Sequence, residues 1–280
     1  MKLCRVFFVG LLLAALTGCS IKVFYNNADR YARWQIQDYV DLDREQRATL
    51  SVALKEILAW HRVEHLPLYA EHLAVFRSQV ADAPNAELMA TFFGRFEDWA
   101  YEVQDRFLPP LAALFSSLSD EQLERLPDRL QESNDELLEP EVDGSLAEQQ
   151  ARWADELIDA IQRFTGRLNG SQRESVQRQA SAYQPERALW VEYRERWQAD
   201  FLTLLKQRAD AGFESQFAEH VNNLKSYKSE TYKKISAENE ALAYVITASV
   251  LGGLSDRQAT RLDSRLEDLG QDLVELSRQE

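Results

Sequence analysis

The sequence predicts an all-α protein, a multi-helix bundle of antiparallel helices, and three observations carry that reading. Only 10 glycines and 7 prolines interrupt the 280 residues. The stretches between them are rich in Ala, Leu, Glu, Gln and Arg, residues that lose little side-chain freedom in a helix. Apolar residues also recur at helical intervals. Trp153, Leu157, Ile161, Phe164 and Leu168 follow one another at steps of four, four, three and four, and Leu262, Leu266, Leu269, Leu273 and Leu276 at four, three, four and three. Each set paints one stripe on a helix face. No run alternates as a strand would.

The N-terminus carries the sharpest signal in the chain. Lys2 and Arg5 precede the apolar run from Val6 to Leu16. Positive charge followed by a short apolar run is the layout of a secretory signal peptide, and the run is too short to span a bilayer. It ends in Leu16-Thr17-Gly18-Cys19, which resembles the lipobox of bacterial lipoproteins. The small residues fit a tight peptidase pocket, and the Cys19 thiol is the nucleophile that receives the lipid. The resemblance implies removal of residues 1–18 and a lipidated N-terminus and tether over 19–27. Cys19 then carries a thioether diacylglycerol and an N-acyl chain, palmitate-like in character. More than one acyl chain gives stable anchoring. Ser20 stands where an aspartate retains Gram-negative lipoproteins in the inner membrane, so outer-membrane placement, facing the periplasm, is expected.

Cysteine use agrees. Cys4 leaves with the leader and Cys19 is blocked by lipid, so no disulfide is expected although the compartment permits one. The fold must rest on packing. Removal of Lys2 and Arg5 with the leader takes 32 basic residues to 30 against 46 acidic ones, a formal charge of −16 where the whole chain has −14. Such a surface repels nucleic-acid phosphates, so no nucleic-acid partner is expected. A hydrophobic content of 45% excludes a disordered chain.

Helices are predicted over 28–40, 43–80 with a kink near Pro67, 84–108, 110–117, 119–138, 146–168, 171–183, 185–211, 214–252 with a break, and 255–278. Together they form a helical domain over 28–280. The acidic stretch from Glu132 to Ser145 holds Pro140 and Gly144, and a sub-boundary between two helical halves is expected near 139–145. Ala241 to Leu251 is apolar but too short for a membrane span, so it reads as a buried helix that Gly252-Gly253 closes.

Four helix starts share one pattern: leucine, a capping residue, two variable positions, glutamine, then an apolar residue four further on. They are Leu42-Asp43 with Gln46 and Leu50, Leu118-Ser119 with Gln122 and Leu126, Leu168-Asn169 with Gln172 and Val176, and Leu254-Ser255 with Gln258 and Leu262. Each is a capping box, in which cap and glutamine satisfy one another's backbone N–H. The pattern resembles the Leu-Thr-x-x-Gln motif of the Spy/CpxP group of periplasmic helical proteins, with threonine absent from every copy. That likeness implies a chaperone-like surface.

Candidate chemistry is sparse. His61-Arg62-Val63-Glu64-His65 matches the inverted zincin pattern, in which His61 and His65 on one helix face ligate zinc and Glu64 is the general base. His72 falls near the same face, as a third ligand would. Leu54, Leu58 and Leu68 share that sector, which reads equally as core. Lys225, Lys228, Lys233 and Lys234, interleaved with Tyr227 and Tyr232, form a basic patch suited to lipid headgroups, an acidic partner or solvent. The six tryptophans read as core. No cofactor is expected beyond the covalent lipid on Cys19.

Two further segments carry a family likeness: Tyr25-Asn26-Asn27-Ala28-Asp29, and Trp60-His61-Arg62 followed by Leu66-Pro67-Leu68-Tyr69-Ala70. They resemble an uncharacterised family of Gram-negative outer-membrane lipoproteins, a domain of unknown function. In that family glutamate usually precedes Leu-Pro, where this chain has His65. The resemblance implies that the zincin match arises from one substitution, and it implies a helical, lipid-anchored envelope protein. The expected function is therefore non-enzymatic: contact with an unknown envelope protein as a scaffold, adaptor or chaperone-like surface, with the membrane held through the anchor. The alternative is a zinc-dependent hydrolase using the His-x-x-Glu-His residues.

Overall fold

The structure, a computed structural model, describes residues 21–142 and 144–279. The expected signal peptide over 1–18, Cys19 and Ser20 lie outside the described residues. Within them the chain is all-α, with no strand. The helices are α1 Ile21–Tyr25, α2 Ala28–Gln37, α3 Arg44–Glu64, α4 Leu66–Asp82, α5 Ala86–Ser116, α6 Asp120–Glu124, α7 Leu126–Val142, α8 Leu146–Thr165, α9 Gly170–Ala180, α10 Arg187–Leu205, α11 Phe213–Asn222, α12 Glu230–Gly252 and α13 Asp256–Ser277, with a 3₁₀ turn over Asn223–Tyr227.

The most extensive helix pairing joins α4 to α13. Leu66, Tyr69, Leu73, Phe76 and Val80 of α4 meet Leu262, Leu266, Leu273 and Leu276 of α13 in one core cluster, which also takes in α1 and α5. Arg77 fixes the register, donating from Nε to Asp263 at 2.6 Å and from Nη2 to Glu267 at 3.0 Å. A second cluster gathers α2, α3, α5, α10 and α11 around Leu50, Leu54, Leu114, Phe201 and Phe213. A third is built by α8, α9 and α12 around Ile158, Val176 and Ile246. Ile246, Ala248 and Val250 of the apolar run are buried there or against the first cluster, and none of the described helices is long and apolar enough to cross a membrane.

Several boundaries depart from expectation for identifiable reasons. Residues 21–27 read as a tether, yet α1 packs into the first cluster with Ile21 and Tyr25 at 4% and 1% exposure. Pro109 and Pro110 do not break α5. The carbonyls their missing N–H groups leave free belong to Asp105 and Arg106, both exposed, so water can take them while Leu108, Ala112 and Leu114 hold the helix in the core. The acidic stretch before Ser145 continues α7 to Val142; Leu137 and Leu138 are half-buried along it, and the buried Asn134 donates to Gln198 Oε1 of α10 at 2.7 Å. Between α3 and α4 the break falls at His65, ahead of Pro67 itself, since Pro67 takes the first turn of the new helix, where no N–H is needed. Gly166, at φ 77°, ends α8 ahead of the expected Leu168; a side chain there would also meet Arg261 Cδ at 3.0 Å.

All four capping boxes form, and they pair. Gln46 Nε2 donates to Gln122 Oε1 at 3.2 Å and to Ser117 O at 2.9 Å, while Gln122 Nε2 donates back to Gln46 Oε1 and to Asp41 O, both at 2.6 Å. The other two repeat this. Gln172 Nε2 donates to Gln258 Oε1 at 3.3 Å and to Gly253 O at 3.0 Å; Gln258 Nε2 donates to Gln172 Oε1 at 3.1 Å and to Arg167 O at 3.0 Å. In every case the carbonyl lies two residues before the partner's cap. Each pair is thus a local two-fold joint between helix starts, α3 with α6 and α9 with α13. The leucine ahead of each cap is buried or half-buried, and the residue four past each glutamine is buried.

These joints make a stability prediction. Gln172→Ala removes one cap bond and leaves Gly253 O and the Gln258 amide short of partners, at a cost of roughly 2–3 kcal/mol. Because the two glutamines share bonds, Gln172→Ala with Gln258→Ala is expected to cost clearly less than the two single changes added, as a urea-denaturation double-mutant cycle will read.

Candidate functional site

His61 lies in the last turn of α3 and His65 at its junction with α4; both are buried, at 2% and 1% exposure. Their rings stack with centroids 5.2 Å apart. Both nitrogens of His61 are engaged by tyrosine hydroxyls: Nδ1 with Tyr25 Oη at 2.8 Å and Nε2 with Tyr69 Oη at 3.1 Å. A neutral imidazole donates through one nitrogen and accepts through the other, so each tyrosine completes it. Tyr25 Oη also reaches Leu58 O at 3.3 Å, and Tyr69 Oη lies 3.4 Å from His65 Nδ1. His65 Nε2 sits 3.8 Å from the Glu102 carboxylate.

Burial sets the electrostatics. It lowers the His61 pKa to about 3, with the nearby charges of His65 and Arg62 acting in the same direction. His65 is lowered by burial, with Glu102 and Glu64 opposing. Burial also pushes the Tyr25 phenol well above its usual range, with Arg62 opposing. All three groups are therefore neutral at physiological pH.

The structure brings His61 and His65 together but distributes the rest of the expected zinc set. Glu64 is exposed on the outer face of α3. His72 Nε2 hydrogen-bonds Phe92 O of α5 at 3.0 Å, and its ring stacks on the Phe92 ring at 5.0 Å. Among the described residues, no three His, Cys, Asp or Glu side chains converge as metal ligands. With its nitrogens shared between tyrosines, His61 acts as a polar core linker. Metal analysis is expected to find a zinc content that His61→Ala leaves unchanged.

What the sequence did not announce is what His61 links. Tyr25 belongs to α1, so the two segments bearing the family likeness dock on one another. Arg62 completes the contact: it lies over the Tyr25 ring at 4.9 Å, donates to Asn26 Oδ1 at 3.1 Å, and donates to Leu276 O of α13 at 2.8 Å. Asn26 Nδ2 donates to Gln279 Oε1 at 3.1 Å, and Lys22 pairs with Asp272 at 2.8 Å and with Glu275. The site is a clamp in which α3, α4 and the C-terminal end of α13 grip α1. Arg62 also places positive charge where α13 leaves its last carbonyls open. Within it, Tyr69→Phe removes the hydroxyl that meets His61 Nε2 and is expected to cost about 1–3 kcal/mol in urea denaturation.

The basic patch, by contrast, is internally engaged. Lys225 pairs with Glu97 at 3.2 Å, Lys233 with Glu230 at 2.8 Å and Lys234 with Glu238 at 3.9 Å, and Lys228 lies 5.6 Å from the Tyr232 ring centroid.

Compared with known proteins, the chain matches no curated protein and no solved structure. A family of unknown function, DUF6279, matches residues 38–233, which take in Trp60–Ala70 and leave out α1, α2 and α13. By the extent of that match the chain belongs to the DUF6279 family.

Proposed function

We propose that this chain is a lipid-anchored envelope protein of the outer membrane. It faces the periplasm and acts without catalysis, by contact with another envelope protein as a scaffold, adaptor or chaperone-like surface. The observation that carries the reading is the charged, apolar and small-residue series that ends at Leu16-Thr17-Gly18-Cys19. Three features support it. The clamp holds the chain from Ile21 onward, immediately behind the lipid position. His61, with both ring nitrogens on tyrosine hydroxyls, serves as a core linker. Aliphatic side chains stand in water along α3 and α4: Val52 and Val63, at 57% and 61% exposure, lie eleven positions apart and so share a face, and Leu68 and Val75 lie seven apart.

Photo-crosslinkers placed at Val63 and Val75 in intact envelopes test it, with Glu156 on α8 as the acidic control position. A discrete, reproducible partner is expected from the first two positions and not from the third. Recovery of none, or the same products from all three, overturns the contact reading.

A further inference from the structure

We infer that the face formed by α1 and α2, with Val23, Phe24, Tyr31 and Trp34, is a seat on the phospholipid surface, so that the body is held against the bilayer in one orientation. This rests on the lipid anchor proposed above, and adds to it the side of the body that touches lipid.

The distance comes first. Between Cys19 and Ile21 stands Ser20 alone, and two Cα steps reach no further than about 7.6 Å. Ile21 is 4% exposed, and α1 is fixed by the Lys22–Asp272 pair, the Tyr25–His61 bond and the Asn26–Gln279 bond. No slack follows the lipid. Whatever surface surrounds α1 must therefore lie at the headgroups.

The chemistry of that surface fits. With Ile21 and Tyr25 turned inward, Val23 points outward at 57% exposure. From Phe24, half-buried at the edge of the first core cluster, an aromatic line runs along α2: Phe24 to the half-buried Tyr31 at 6.0 Å between ring centroids, and Tyr31 to Trp34 at 5.9 Å. Of the six tryptophans, all among the described residues, Trp34 alone is largely in water, at 57% exposure. Tryptophan and tyrosine favour the bilayer interface, where an apolar ring and a polar edge are both satisfied.

The charge agrees as well. Lys22 is neutralised by Asp272 and Glu275 of α13, which leaves Arg30 and Arg33 against Asp29 over residues 21–37, a local balance of +1 in a chain of net −14. Arg30 is exposed, one helical turn before Trp34. The acidic remainder is repelled by anionic headgroups while this face is drawn to them. Together these set the orientation: α1 and α2 down, the acidic helices toward solvent.

The test uses full-length, processed protein incorporated into vesicles of phosphatidylethanolamine and phosphatidylglycerol. The Trp34 contribution to fluorescence is taken as the difference between wild type and Trp34→Phe, an exposed change that the core does not feel. Quenching of that difference signal by brominated acyl chains is expected, with loss of its quenching by aqueous acrylamide. Protein that floats with the vesicles while Trp34 stays open to acrylamide overturns the seat and leaves the anchor standing. Shielding from acrylamide without quenching by brominated lipid means that protein, such as a second copy, covers the face, and it overturns the seat too. Protein that does not float overturns anchor and seat together.

Discussion

Cys19→Ser is expected to abolish lipid attachment and to stop cleavage after Gly18, so that the precursor keeps residues 1–18 and takes up no labelled fatty acid. On the proposed anchoring the sulfur is the nucleophile, and a serine hydroxyl, far less ionised, does not replace it. Because the uncleaved leader can itself hold the precursor in the membrane, a second form separates the two effects: the Cys19→Ser chain exported behind an ordinary cleavable signal peptide. That form is expected in the soluble periplasmic fraction. Two acyl chains give durable anchoring, whereas even one chain binds with only about 10⁴ M⁻¹. The proposed aromatic seat, with one exposed tryptophan and a small positive balance, is expected to orient the body without retaining it. Continued membrane residence of the soluble-exported Cys19→Ser form, or unaltered processing of the Cys19→Ser precursor, refutes the anchor.

The structure shows which parts of this molecule a linear reading reaches. Long helices were legible because their stripes are long: Leu262 to Leu276 repeats for four steps, and it becomes the face of α13 buried against α4. Capping boxes were legible because both partners lie within four residues. Their pairing was not, since the Gln46–Gln122 joint spans 76 residues and the Gln172–Gln258 joint spans 86, and nothing local signals either. The five residues of α1 are too few to show a period or to hold as an isolated helix. They are helical because Ile21 and Tyr25, one turn apart, dock into a surface made by α3, α4 and α13. At Pro109-Pro110 and at the start of the acidic stretch ahead of Ser145, the helix runs further than local preference predicts. Local preference for a break is worth a few kcal/mol at most; burial of Leu108, Ala112 and Leu114 exceeds it at the prolines, and α7 runs on to Val142 with Leu137 and Leu138 half-buried and Asn134 bonded to Gln198. The histidine face was legible as a face. Its chemistry was not, because the tyrosines that occupy His61 come from positions 25 and 69, and the first falls in the expected tether.

Mild acid is expected to loosen the protein through His61. Its imidazole is buried and neutral, with its pKa lowered from the usual 6.5 to about 3 by burial first and by His65 and Arg62 second. Between those values the unfolded chain binds a proton that the folded chain refuses, so proton uptake favours unfolding. Stability is complete above about pH 6.5 and falls as the pH drops toward 3, at about 1.4 kcal/mol per pH unit for this one group. Burial shifts His65 and His220 in the same direction, which steepens the fall. Asp263, held below the usual carboxylate range by Arg77, contributes with the same sign only in more acidic solution, so the interval above about pH 5 reports mainly the histidines. Urea midpoints across that interval measure the slope. His61→Gln keeps a polar group that can meet one tyrosine, lowers stability at neutral pH, and is expected to remove one proton from the slope. His61→Ala takes one partner each from the Tyr25 and Tyr69 hydroxyls and opens a cavity, at roughly 2–4 kcal/mol at neutral pH. An unchanged slope in His61→Gln contradicts a neutral, sealed His61 whatever the absolute stabilities. A slope reduced by one proton, with α1 among the first segments to exchange amide hydrogen as the pH falls, shows that this imidazole fastens the N-terminal helix to the body.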